Sequence, residues 1–132
     1  MRRDTIVIGH SLGPAFLCNI LSQLNHGIKA AFSVAPFISP LNNPDFDKVN
    51  KTFYIGNGDV DWEKIKMNCK MFYILHSDND PYVPIEKAEE LAGKLGVGVI
   101  GVKDAGHFNE KAGYKKFELL LEKIKEEVSI TT

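Results

Sequence analysis

Cysteine is scarce: Cys18 and Cys69 stand far apart and form no C-x-x-C pair. This spacing argues against a disulfide framework or a zinc site and for reduced thiols in a cytoplasmic protein. Charge of one sign is also missing, because 16 Lys and Arg face 17 Asp and Glu for a formal net charge of -1. Nothing in that balance neutralises phosphate, so neither nucleic acid nor a membrane surface is expected as a partner. Long apolar runs are lacking too. None approaches the roughly 20 residues of a membrane span, and Thr5 to Gly9, which follow Met1-Arg2-Arg3-Asp4, are too few for the apolar part of a signal peptide. No H-E-x-x-H, G-x-G-x-x-G or Walker pattern occurs, so no metal and no cofactor is expected. Gly56-Asn57-Gly58 does not directly join a strand to a helix, which leaves a flavodoxin-like nucleotide binder as the least supported alternative.

What remains is an ordinary globular composition, 44% hydrophobic and 25% charged over 132 residues. Residues 1–132 therefore read as a single domain with a real core. Thr5 to Ile8 reads as a strand buried on both faces. From Pro14 the spacing turns helical through Phe16, Leu17, Ile20, Leu21 and Leu24, with Asn25-His26-Gly27 ending the helix. Lys29 to Ala35 reads as a second strand. Pro36 to Asp61, rich in Pro, Asn and Gly, is a long loop region with a short helical turn near Asp45 to Val49. Such loops tend to carry function. A short helix over Trp62 to Met67 precedes a third strand at Met71 to Leu75. Ile85 to Leu95 is helical, with Ala88, Leu91, Ala92 and Leu95 on one face, and Gly98 to Val102 is a weaker fourth strand. Ala112 to Val128 reads as an amphipathic helix through Phe117, Leu120, Leu121, Ile124 and Val128. Alternating strands and helices predict a mostly parallel sheet with helices on both faces, an α/β three-layer sandwich.

Gly9-His10-Ser11-Leu12-Gly13 fits G-x-S-x-G at a strand-to-helix turn. There Ser11 can serve as a nucleophile and the Leu12 N–H can donate to an oxyanion. A serine needs a base, and the base an orienting acid. His76-Ser77-Asp78-Asn79-Asp80-Pro81 follows the third strand. Asp80 is the favoured acid, since Pro81 biases it towards extended geometry, while Asp78 suits a bond within its own turn. Ala105-Gly106-His107-Phe108 follows the fourth strand and offers His107 as the base. Of the other histidines, His10 packs near the site, His76 supports the acid loop and His26 lies at a helix end. The expected catalytic set is Ser11, Asp80 and His107, acting on a small acyl substrate. Phe37, Phe46, Phe53 and Tyr54 are candidate walls of an acyl pocket, beside His10.

Together with Asp61-Trp62-Glu63-Lys64-Ile65, Tyr82-Val83-Pro84 and Gly106-His107-Phe108, these motifs resemble the YdeN-like, retinoblastoma-binding-protein-nine-like serine hydrolases from about Thr5 to the final helix. The resemblance implies an α/β-hydrolase fold, hydrolysis of small esters or amides, and nucleophile, acid and base at Ser11, Asp80 and His107. Members of that family carry a further segment before the nucleophile strand, with two strands, a helix and an early His-Gly loop that supplies the second oxyanion donor. Against that pattern the chain reads as N-terminally truncated. Leu12 would be the one backbone donor, and the Thr5-Ile8 strand would be an edge. Two expectations follow: a fragment of a longer hydrolase, or a chain that pairs with a copy or a partner along that edge. A catalytically silent interaction module is the alternative function.

Overall fold

The computed structural model describes residues 1–56 and 58–129, so Asn57 of the Gly56–Gly58 cluster lies outside the described residues. Four parallel strands form one sheet in the order β1 (Ile6–His10), β2 (Ile28–Val34), β3 (Cys69–Ser77), β4 (Val99–Val102). The register sets Ile6 opposite Ala30, Ala30 opposite Met71 and Ile74 opposite Val99. Because side chains alternate across a strand, β2 feeds two cores. Ala31 meets α1 (Gly13–Leu21), α3 (Trp62–Met67) and α4 (Ile85–Leu95) through Leu17, Ile65 and Leu91. Ala30, Phe32 and Val34 face α5 (Glu118–Ser129) through Leu120 and Ile124. Helices thus cover both faces of the sheet, as the alternating pattern predicts.

Local chemistry sets the element ends. The buried Asn68 amide donates to Leu21 O at 2.8 Å, capping the last carbonyl of α1, and to Leu24 O at 2.9 Å in the turn beyond it. The Asp61 carboxylate caps α3 through Lys64 N at 3.1 Å. Gly96, at φ 71°, ends α4 in the left-handed conformation. The Tyr73 hydroxyl, donating to the buried Glu127 carboxylate, ties α5 to the sheet. Cys18 and Cys69 are free and buried in one cluster, and burial pushes both thiols up to about 12.

Three expectations need correction. The first strand is not buried on both faces. Among the described residues β1 pairs only with β2, and Ile8 is 55% exposed. The apolar stripe of α1 runs through Pro14, Ala15, Leu17, Cys18 and Leu21, and Phe16 is 57% exposed. The small Ala15 and Cys18 lie buried against the sheet and rotate the stripe away from Phe16. The helical turn expected near Asp45 to Val49 is present as α2 (Pro44–Asn50), and a 3₁₀ turn over Lys51–Phe53 follows it. The last helix starts later than Ala112. Gly113, at φ 88°, ends a 3₁₀ turn at Glu110–Ala112, and Tyr114 N closes back on Asn109 O.

Phe32, with no exposed surface, stacks on Tyr73 at 4.7 Å in the α5-side core. Phe32→Ala is expected to lower the unfolding free energy by about 3–5 kcal/mol. Val49→Ala, at a site 76% exposed, should cost less than about 0.5 kcal/mol. Urea denaturation reads both.

Candidate active site

The turn after β1 holds Ser11 at φ 64°, a conformation that costs a non-glycine residue free energy. Its backbone is fixed on both sides: Ser11 N donates to Val34 O at 2.9 Å, and Phe37 N donates to Ser11 O at 3.2 Å. A Cβ on Gly9 would lie 3.0 Å from Pro14 N and Cδ. At Gly13 nothing lies within 4 Å of such an atom. Crowding at this elbow therefore demands glycine at position 9 alone. Leu12 caps α1 and directs its N–H to no described residue, at the positive end of the helix dipole.

Because β3 and β4 are parallel neighbours, with Ser77 opposite Val102, the loops after them run side by side. Four consecutive side chains of the first loop bind four consecutive residues of the second. Asp78 Oδ1 accepts from Asp104 N at 2.9 Å, Ser77 Oγ from Ala105 N at 3.0 Å, and Asn79 Oδ1 from Gly106 N at 2.8 Å. Asp80 Oδ2 accepts from His107 Nδ1 at 2.8 Å. The two candidate acids thus separate by geometry: Asp78 holds backbone and Asp80 meets the imidazole.

The Asp80 side chain is 1% exposed. Burial alone would raise its pKa. The His107 bond and the N–H groups of Val83 and Tyr82 on Oδ1 more than offset this, so the carboxyl is held below its ordinary value of 3.8. With Nδ1 donating to Asp80, His107 Nε2 is left to accept from the Ser11 hydroxyl at 3.1 Å. The structure therefore brings Ser11, His107 and Asp80 into one chain of hydrogen bonds.

The remaining histidines flank that chain. His10 Nε2 donates to His107 O at 2.7 Å, and its ring lies 4.7 Å from the His107 ring. His76 Nε2 donates to Val83 O at 2.8 Å and so braces the turn around Asp80. His26 sits beyond α1, its Nδ1 donating to Gly27 O at 3.1 Å. Phe108, directly after His107, has φ 54°, strain that a bulky residue tolerates only when packing over-determines it. Phe117 at 5.0 Å and Tyr114 at 5.3 Å supply that packing.

A cleft of about 430 Å³ opens on Ser11 and His107, with apolar walls from Phe37, Leu41, Phe46 and Val83. Phe53, Tyr54 and His10, proposed from the sequence as pocket residues, do not line it. Tyr54 packs edge-on behind Phe37 at 6.0 Å, Phe53 is 43% exposed, and His10 is turned to the His107 carbonyl. Sequence reasoning missed Leu41 and Val83 as walls, and Ser77 and Asn79 as clamps. The run of short polar side chains from Ser77 to Asp80 was the available signal for the clamps.

Three comparisons bear on this geometry. The serine hydrolase RBBP9 of Rattus norvegicus is 30% identical over 104 residues, which are 79% of this chain and 53% of that protein. The chain therefore spans about half the length of this curated relative. The ydeN gene product of B. subtilis superposes with a TM-score of 0.86 at 24% identity, over 98% of this chain and 68% of that one. A protein of Pectobacterium atrosepticum described as YdeN-like superposes with a TM-score of 0.67 at 26% identity, over 92% and 57%. The sheet and its two helical layers are thus those of the α/β-hydrolase fold. With the family described as serine hydrolase matching residues 1–126, this chain belongs to the YdeN- and RBBP9-like serine hydrolases.

Proposed function

We propose that the protein hydrolyses small esters or amides through an acyl-enzyme on Ser11. The observation that carries this reading is the continuous relay from Ser11 Oγ to His107 Nε2 at 3.1 Å and from His107 Nδ1 to Asp80 at 2.8 Å. Ser11 Oγ bonds to the acyl carbon as its proton passes to His107 Nε2. The carbonyl π electrons move to oxygen, where the Leu12 N–H faces the developing charge. Collapse breaks the bond to the leaving group, which takes the proton from Nε2. Water then gives its proton to Nε2 and attacks the acyl carbon, and the acid leaves as Ser11 regains its proton. Ionised Asp80 holds the Nδ1–H tautomer and favours the imidazolium. The apolar cleft suits a short aliphatic or aromatic acyl group.

A fluorophosphonate probe is expected to label the protein and to leave Ser11→Ala unlabelled. Ester hydrolysis by that variant should fall by a factor on the order of 10⁴–10⁶. A folded wild-type protein that takes up no label would remove the reading.

The depressed Asp80 pKa has a consequence for stability. A carboxyl held below 3.8 in the folded state contributes stability that is present above that value and lost as pH falls through the folded pKa. Asp80→Asn should therefore be less stable than wild type at neutral pH, and the difference should shrink below about pH 4. Urea midpoints measured from pH 7 down to pH 2 check the sign.

A second reading has one observation in its favour. Ile8 is 55% exposed on a strand whose other edge no described residue covers, which is a pairing surface. Association along β1 predicts a concentration-dependent mass in light scattering that Ile8→Lys reduces. A single monomer mass at every concentration would dismiss it.

A further inference from the structure

We propose that the cleft on the far side of Tyr82 and His107 binds a carboxylate carried by the leaving group of the substrate. This inference rests on the serine-hydrolase reading above and adds a substrate class to it. The cleft has a volume of about 380 Å³ and shares three walls with the acyl cleft: Pro81, Tyr82 and His107. The shared position matters because His107 Nε2 must hand its proton to the leaving atom. A leaving atom within reach of Nε2 lies against the His107 ring, and that ring, with Tyr82 edge-on to it at 5.4 Å, lines both clefts.

The polar groups around this second cleft are donors. Asn79 Oδ1 is taken by Gly106 N and the Ser77 hydroxyl, so its amide N–H groups remain. Asn109 Oδ1 is taken by Ala112 N at 3.0 Å, which likewise leaves its N–H groups. Lys111 lines the cleft and forms no ion pair among the described residues, while its neighbour Glu110 is engaged by Lys115 at 3.4 Å. Among the described residues no Asp or Glu lines the cleft. Two amides with spare N–H groups and one ammonium around a carboxylate-free cleft select an anion, and a planar carboxylate can take more than one of these donors at once. The acyl cleft, by contrast, has no Asp, Glu, Lys or Arg among the described residues that line it. The expected substrates are short-chain acyl esters or amides of a hydroxy acid or an amino acid, with the negative charge on the departing half.

The test compares the butanoyl ester of 3-hydroxypropanoate with that of 3-hydroxypropanamide, its uncharged isostere, and follows release of butanoate. The wild-type protein is expected to show a kcat/KM about two- to fivefold higher for the carboxylate, carried mainly by KM, as suits an exposed ion pair. The preference should shrink as sodium chloride is raised. Lys111→Met should abolish it, through a rise in KM for the carboxylate-bearing ester. Equal kcat/KM for the two esters, or a preference that survives both salt and Lys111→Met, would overturn the inference while Ser11 still labels with fluorophosphonate. Failure of that labelling would instead take down the hydrolase reading, and this inference with it.

Discussion

The site depends on one set of contacts, the ladder of side-chain acceptors from Ser77 to Asp80 that grips Asp104 to His107. Its necessity follows from the sheet order. Ser11 follows β1 and His107 follows β4, the two outer strands of the described sheet. Strands spaced by about 4.8 Å put those strand ends about 14 Å apart. The histidine loop must therefore arch back across β3 and β2 to place Nε2 within 3.1 Å of the Ser11 hydroxyl. An unsupported loop would sample many such arches. Here each residue from Asp104 to His107 has an acceptor of its own in the neighbouring loop, and His10 reaches across from the β1 end to hold the His107 carbonyl.

Magnitudes explain why the ladder is not the whole support. A neutral hydrogen bond contributes about 0.5–1.5 kcal/mol net. A non-glycine residue in the left-handed region costs about 1–3 kcal/mol, and this loop holds two, Asp104 at φ 54° and Phe108 at φ 54°. Three backbone bonds of that size only match the strain. The surplus comes from burial of Phe108 against Tyr114 and Phe117, since burying an aromatic side chain contributes about 1.5–3 kcal/mol. The aromatic cluster beneath α5 thus sets the direction of the His107 ring, and one face of the core reaches the chemistry through a single strained residue.

The parallel sheet was legible in the sequence because short apolar runs stand between helical spacings, as Thr5 to Ile8 and Met71 to Leu75 do, even where Ile8 and Met71 themselves are exposed. Ser11, Asp80 and His107 were legible as loop residues because each follows such a run. Boundaries and faces were less so. The stripe of α1 depends on how closely Ala15 and Cys18 approach the sheet, which periodicity does not encode, and Phe16 was misplaced for that reason. The late start of α5 depends on Gly113 and on the Tyr114-to-Asn109 bond, one residue and one contact within an otherwise helical pattern. The cleft walls were the least legible. Phe46 on α2 and Phe37 after β2 turn to the cleft while Phe53 and Tyr54, at and after the 3₁₀ turn, do not, and that is fixed by contacts distant in sequence.

Those contacts also separate chemistry from selectivity. Leu41, Asn43 and Phe46, which line the cleft at Ser11, belong to a segment organised by Asp47. Its carboxylate accepts from the Tyr54 hydroxyl at 2.5 Å, from Leu41 N at 3.0 Å and from Asn43 N at 3.1 Å. The Tyr54 bond, with those backbone donors, outweighs desolvation and holds the Asp47 pKa below its ordinary value. Ser39 ties the same segment to α4, donating to Glu90 at 2.6 Å and accepting from Lys87 at 2.8 Å. None of these groups bonds to Ser11, Asp80 or His107. The relay is held by the β3 and β4 loops, and the Leu41 to Phe46 part of the cleft wall by Asp47 and α4. That part of the wall can therefore change its side chains without loosening the relay, a separation of the kind by which one fold hosts many substrates.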